Sequence, residues 1–443
     1  MKIQLSDHFG YGRLLRFTLP SIAMMIFTSI YGVVDGFFIS TFTNKTSFAA
    51  VNFIFPFVMI LSAIGFMFGT GGSAVVATTL GEGNKEKANK LFSMIIYVSI
   101  ACGAVITVAG VLLIRPVASL LGAEGQMLED CVTYGRIILL AMIPFMLQIE
   151  FQSFFITAEK PKLGLFATLA AGITNMVLDA LFVGVLGFDL VGAAFATAIS
   201  QCVGGLFSIG YFILPINRSI LRLTGFSLDM RALLKTCTNG SSELMSNVSM
   251  SLVSMLYNFQ LMRLEGENGV AAYGVLMYVG MIFIAIFIGY SIGTAPIIGF
   301  NLGAGNYVEL KSLLKKSLVI IGVTSLLMVA LSIVLAVPLS KLFVGYDEYL
   351  FDLTVRGFYF FSFSFLFCGI AIFGSSFFTA LNNGLISAII SFLRTLVFQT
   401  LAVLLLPLVM QIDGVWLSLV VAELLATVVT FIFIIAKRKE YHY

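Results

Sequence analysis

Leu80-Gly81-Glu82-Gly83-Asn84 and Leu302-Gly303-Ala304-Gly305-Asn306 are one motif met twice, 222 residues apart in a chain of 443. Each follows a long apolar stretch and runs into a lysine-rich one. The same offset carries Phe155-Ile156-Thr157-Ala158 onto Phe377-Phe378-Thr379-Ala380. A nearly equal offset carries Asp189-Leu190-Val191 onto Asp413-Gly414-Val415. Three landmarks at one spacing, half the chain length, mark an internal duplication.

The duplicated unit belongs in lipid. Hydrophobic residues make up 59% of the chain and charged ones 11%, with a mean hydropathy of +1.05, whereas a soluble domain carries about 25% charged residues. The apolar runs exceed the ~20 residues that cross a bilayer as a helix and lack the period-two alternation of a membrane barrel. The expectation is an all-α membrane protein of twelve transmembrane helices. Breaking at polar and Gly/Pro-rich punctuation places them near 14–41, 48–79, 91–114, 132–156, 163–186, 190–214, 234–262, 270–299, 317–339, 354–379, 385–409 and 414–436.

Six spans per repeat is an even number, so both repeats enter the membrane from the same side. A pseudo-two-fold axis along the membrane normal then relates two six-helix bundles. The N-terminal lobe is expected at 1–214 and the C-terminal lobe at 234–443. The basic segment 215–233, with Arg218, Arg222 and Arg231, reads as a cytoplasmic linker. Two lobes around a cleft suit alternating access.

Orientation follows from Lys/Arg bias. The termini and even-numbered loops hold 18 basic residues, the odd-numbered loops four (Lys45, Arg115, Arg263, Lys341), and Arg136, Arg356 and Arg394 fall inside spans. Both termini therefore face the cytoplasm of a cell inner (plasma) membrane. The charged N-terminus (Lys2, Asp7, Arg13, Arg16) has no small-residue cleavage site and reads as retained. The five cysteines stand singly, with neither CxxC nor metal-ligand spacing.

Five of the 22 acidic residues lie within spans: Asp35, Glu150, Asp179, Glu243 and Glu423. Each costs about 2.5–3.5 kcal/mol at a helix centre, which makes each a functional candidate. Glu423 has Arg394 on the preceding helix as a partner, an arrangement that would be structural. Glu150 and Glu243 are candidates for a substrate cleft. Asp35 and Asp179 share a depth. Spans one and five both run outward, and the two acids sit ~9 Å and ~11 Å before the ends. Asn175 is one turn before Asp179 on the same face, and Thr197 descends on span six from the same side. Two carboxylates, an amide and a hydroxyl in one lobe could coordinate Na⁺ or hold a proton on one buried acid beside another. His8 and His442 are terminal, so any proton step falls to carboxylates. Pro20 in span one is a hinge candidate, and the many Phe and Met residues suit flat lipophilic ligands as well as helix packing.

These residues bring a family into view. The whole chain resembles the multidrug and toxic compound extrusion transporters, in its twelve spans and repeat and in Pro20, Tyr31 and Asp35 on the first helix. The LGEGN/LGAGN loops, Asn175-x-x-x-Asp179 and Gly192-Ala-Ala-Phe-Ala-Thr197 match as well. It looks closest to the bacterial and archaeal branch with its acid cluster in the N-terminal lobe, which the stretch Phe151 to Lys162 also resembles. The resemblance implies a V-shaped fold exporting cationic or amphipathic drugs against inward H⁺ or Na⁺ flow, with no other cofactor. It implies a cation or proton site at Asp35, Asn175, Asp179 and Thr197, with Tyr31 and Gln152 in the polar network. Gln152 stands where the branch tends to carry Asn. Helix ten has no acid, which departs from the branch that couples Na⁺ through the C-terminal lobe.

Two other functions fit the same fold, a lipid-linked oligosaccharide flippase and a metabolite carrier. A pyrophosphate-binding flippase wants cations in its cleft, whereas here five acids face three arginines. An enzyme is not expected, since no HExxH, GxSxG or Ser/His pairing falls within a span. The expected partners are small organic substrates and the bilayer, with no nucleic acid, and the chain is expected to be a monomer.

Overall fold

The computed structural model describes residues 3–443; Lys2 and the side chains of Lys45 and Phe48 lie outside the described residues. No strand occurs among them. The N-terminal half contains α1 (Tyr11–Phe42), α2 (Lys45–Gly81), α3 (Lys85–Leu120), α4 (Gly125–Leu140), α5 (Met142–Thr157), α6 (Pro161–Asp179) and α7 (Asp189–Ile213). The C-terminal half contains α8 (Met230–Gly303), α9 (Tyr307–Val344), α10 (Glu348–Ser362), α11 (Phe365–Ala380), α12 (Gly384–Phe392), α13 (Gln399–Leu405) and α14 (Pro407–Tyr441).

Among the described residues, nine helices are long and apolar enough to cross a membrane. Two further crossings are bent pairs, α4 with α5 at 57° and α10 with α11 at 49°. The 74 residues of α8 would reach ~110 Å if straight, far more than one bilayer. It breaks at Gly266 (φ 61°, ψ −144°) and holds spans seven and eight. Twelve crossings result, in two six-helix bundles.

The helices outlast the apolar runs. Span three, expected at 91–114, is α3 from Lys85 to Leu120. Its first turns carry Lys85, Glu86, Lys87 and Lys90, and the LGEGN motif explains the start. The N–H of Asn84 bonds the carbonyl of Thr79, and Gly83 takes φ 81°, closing α2 with a left-handed cap. The Asn84 side chain then caps α3 by accepting from the N–H of Lys87 at 3.0 Å. The second copy repeats this with Gly305 (φ 65°) and Asn306. Left-handed residues also recur as Glu159 and Asn382, and as Gly187 and Gln411. The duplication is therefore one of backbone turns as well as of letters.

Contacts between the lobes gather at one end of the helices. A Cβ on Gly81 would lie 2.0 Å from the carbonyl oxygen of Phe300, and one on Gly303 would lie 2.0 Å from that of Thr78. Only glycine permits α2 and α8 to approach so closely. Asn382 Nδ2 donates to Thr78 Oγ1 at 2.7 Å across the same seam. The chain before α1 spans both lobes there. The Leu5 N–H donates to Glu159 Oε1 at 3.0 Å, and the Phe9 N–H to Glu309 Oε1 at 2.9 Å. Gly303→Ala should force this seam apart. Overpacking costs about 1–3 kcal/mol, enough to shift a two-state equilibrium about 5- to 150-fold. Spin labels at the seam ends of α2 and α8 should report longer distances; an unchanged distribution would mean that the seam does not set the conformation.

Candidate functional site

The site is built where α1, α6 and α7 meet near the far ends of spans one, five and six. Gly172 sets the approach of α6 to α1, since a Cβ there would lie 2.5 Å from the Phe27 ring and 2.8 Å from Tyr31 Cδ1. At the start of α7, Gly192 packs against the segment after α6, since a Cβ there would lie 3.1 Å from Phe182 Cβ, and Ala193, Ala194 and Ala196 are buried. Directly after Asp179, α6 passes into a π-helical segment, Ala180–Val185. Such a turn widens the backbone and recurs at functional sites.

All four residues expected here come together. Asn175 Nδ2 donates to Thr197 Oγ1 at 3.5 Å, and Thr197 Oγ1 donates to Asp35 Oδ1 at 3.4 Å. Asp35 and Asp179 face one another across the site. Asp179 is fully buried and Asn175 nearly so. Among the described residues, neither Asp179 carboxyl oxygen nor Asn175 Oδ1 has a hydrogen-bond partner. An unpaired buried oxygen is costly. Ionised carboxylates only accept, so Asp35 and Asp179 satisfy one another only through a proton on one of them or a cation between them.

The surrounding network gains members beyond those expected. Tyr31 lies beside Asp35, and Gln148 meets its hydroxyl. Gln152, expected in this role, is buried one turn further along α5, on the way toward the seam. Gln148 and Tyr134 were missed from the sequence. Tyr134 is 4% exposed, on α4, within electrostatic range of both acids. The span expected from 132 puts Tyr134 nearer the membrane surface than either acid, so the depth comparison that joined Asp35 to Asp179 passes over it.

The remaining acids separate. Glu423 forms the expected pair, receiving Arg394 Nε at 2.8 Å on Oε2 and 3.0 Å on Oε1. Glu243 on α8 is half-buried and within electrostatic range of Arg394. Glu150 is fully buried and accepts from the Ser99 hydroxyl. Gly69 lets α2 close over it, since a Cβ there would lie 3.0 Å from Glu150 Cα. In this conformation the Glu150 carboxyl is sealed between α2, α3 and α5. Pro20 is buried within a continuous α1. Of the other arginines in spans, Arg356 pairs with Asp413 at 2.5 Å and Arg136 is exposed.

Comparison with known proteins places this arrangement. The chain is 27% identical over 323 residues to the multidrug export protein MepA of Staphylococcus haemolyticus, covering 73% of this chain and 70% of that one. It is 24% identical over 334 residues to the MepA of Staphylococcus saprophyticus, covering 75% and 72%. Among solved structures, a MATE transporter in complex with MaL6 superposes with a TM-score of 0.93 at 24% identity, over 98% of each chain. The outward-facing conformation of a multidrug resistance MATE family transporter gives 0.92 at 24%, over 98% and 97%. A transporter of Pyrococcus furiosus described by the reversed polarity of its binding pocket gives 0.91 at 24%, over 98% of each chain. At that identity the structures speak for the fold alone. The MatE family model matches twice, at residues 20–181 and again at 244–405, so that each bundle carries its own copy of the pattern. By that double match this chain belongs to the MatE family of membrane transporters.

Proposed function

We propose that this protein exports cationic or amphipathic organic compounds by antiport, using inward flow of H⁺ or Na⁺ through the Asp35–Asp179 site. The observation that carries the reading is the set of buried, partnerless oxygens on Asp179 and Asn175 facing Asp35. One proton or one cation neutralises the pair and occupies those lone pairs; its loss restores repulsion between α1 and α6. Occupancy therefore changes how these helices pack, and such a change biases two arrangements of the lobes. The second repeat offers no duplicate, since Tyr257, Asn258 and Phe259 stand at the offset positions of Asp35, and Leu401, Ala402 and Val403 at those of Asp179. The MepA relatives, named as multidrug exporters, agree with the direction and breadth of transport. A pyrophosphate flippase is disfavoured because Arg356 and Arg394 are each neutralised by an acid.

The test is uptake of a fluorescent organic cation by proteoliposomes under an imposed ΔpH or ΔNa⁺. Acceleration by one gradient identifies the ion; indifference to both would defeat antiport.

In this reading lobes 1–214 and 234–443 rock about a cytoplasmic linker at 215–233, in the plasma membrane, with both termini inside. Cysteines placed at Asn84, Lys160 and Asn306 should then react with impermeant reagents only from the cytoplasm, and those at Thr46 and Asp347 only from outside. Labelling of Asn84 and Asn306 from opposite faces would contradict a parallel repeat.

A further inference from the structure

Between the start of α9 and the end of α14 lies a cavity of about 300 Å³ that the transport reading does not use. Its walls are sorted by polarity along the helix axes. On α9, Lys311, Leu314, Lys315 and Leu318 follow the i, i+3, i+4, i+7 spacing of one helix face, and all four line the cavity. On α14, Ile434 and Arg438 line it one turn apart. The cations lie toward the helix ends, and Leu318 and Ile434 lie deeper. Lys315, set lower than Lys311, has a stem long enough to lift its ammonium toward the interface.

The three cations are also unengaged. Neighbouring lysines are committed, Lys316 to the carbonyl of Phe9 at 2.5 Å and Lys437 to Glu440 at 2.5 Å. The carboxylate of Glu309, in the first turn of α9, is occupied by His8 at 2.6 Å and the Phe9 N–H at 2.9 Å. Lys311, Lys315 and Arg438 make no ion pair among the described residues. Three like charges around one cavity repel until an anion enters. A soluble anion would meet the charges and leave the apolar floor bare. A phosphate joined to a hydrocarbon chain meets both, and basic pockets between membrane helices are known to take such head groups.

We propose that this cavity binds an anionic phospholipid of the leaflet in which α9 begins, which the Lys/Arg bias assigns to the cytoplasm. Its phosphate rests on Lys311, Lys315 and Arg438, and an acyl chain runs along Leu314, Leu318 and Ile434.

The experiment is native mass spectrometry of the full chain in detergent, titrated with phosphatidylglycerol. Lys311→Gln/Lys315→Gln/Arg438→Gln should weaken retention about tenfold or more. Lys85→Gln/Lys87→Gln/Lys90→Gln, which removes the same charge from the start of α3, should leave it unchanged. Phosphatidylcholine of the same chain length should be retained far less than phosphatidylglycerol, and soluble glycerol phosphate should compete poorly. Equal loss in the two triple variants would reduce the effect to general attraction by a basic face and overturn the proposal. So would equal retention of the two lipids, and effective competition by glycerol phosphate would make it a free-anion site instead. Should the first triple variant not fold, Lys315→Gln carries the test, with retention several-fold weaker expected and wild-type retention overturning the site.

Discussion

Asp35→Asn is expected to abolish the dependence of export on the ion gradient while leaving substrate binding intact. Asparagine keeps the shape of a protonated carboxyl and can still accept from Thr197, which donates to Asp35 at 3.4 Å. What it cannot do is exchange a proton or hold a cation against Asp179. Asp179→Asn should behave alike, since its buried carboxyl faces the same partner. The double variant should be little worse than either single one, because residues that act as a unit are strongly non-additive. Gradient-driven efflux, measured beside equilibrium substrate binding for the three variants, checks this. Gradient dependence at the wild-type level in Asp35→Asn would move the coupling site elsewhere. Additive losses in the double variant would mean that the two acids do separate work.

The second large effect is on stability. Arg394→Met leaves Glu423, 2% exposed, without its cation in the middle of the C-terminal bundle. Breaking a buried pair by removing one partner costs about 3–5 kcal/mol, whereas replacing both by apolar groups is often near neutral. The thermal midpoint in detergent should therefore fall sharply for Arg394→Met. It should recover most of the way in Arg394→Met/Glu423→Leu. Recovery should stop short of wild type because Glu243 also lies in the field of Arg394. The double variant should keep gradient-driven transport, which separates this pair from the one at Asp35 and Asp179. A wild-type midpoint in Arg394→Met would remove the structural role; lost transport in a stable double variant would give the pair a working one.

The two charged clusters show what kind of information each level holds. Helix number, the repeat, and the pairing of Glu423 with Arg394 were legible in the sequence. Burying charge or backbone in lipid is so unfavourable that apolar run length and an acid near a base on the next helix leave few alternatives. The grouping of Asp35, Asn175, Asp179 and Thr197 was legible for a related reason. A membrane supplies a depth coordinate, so residues equally far from helix ends lie in one plane without any knowledge of packing. Depth says nothing about rotation around the helix axis or lateral order. Only the folded chain could show that Gln148 meets Tyr31 while Gln152 sits a turn away, that Glu150 is closed in behind Gly69, and that Tyr134 joins the acids. The seam at Gly81 and Gly303 belongs to the same class. Its glycines are visible as letters, but their purpose is a 2.0 Å limit set by backbone on another helix, and no local pattern in one segment encodes how closely a distant one will approach.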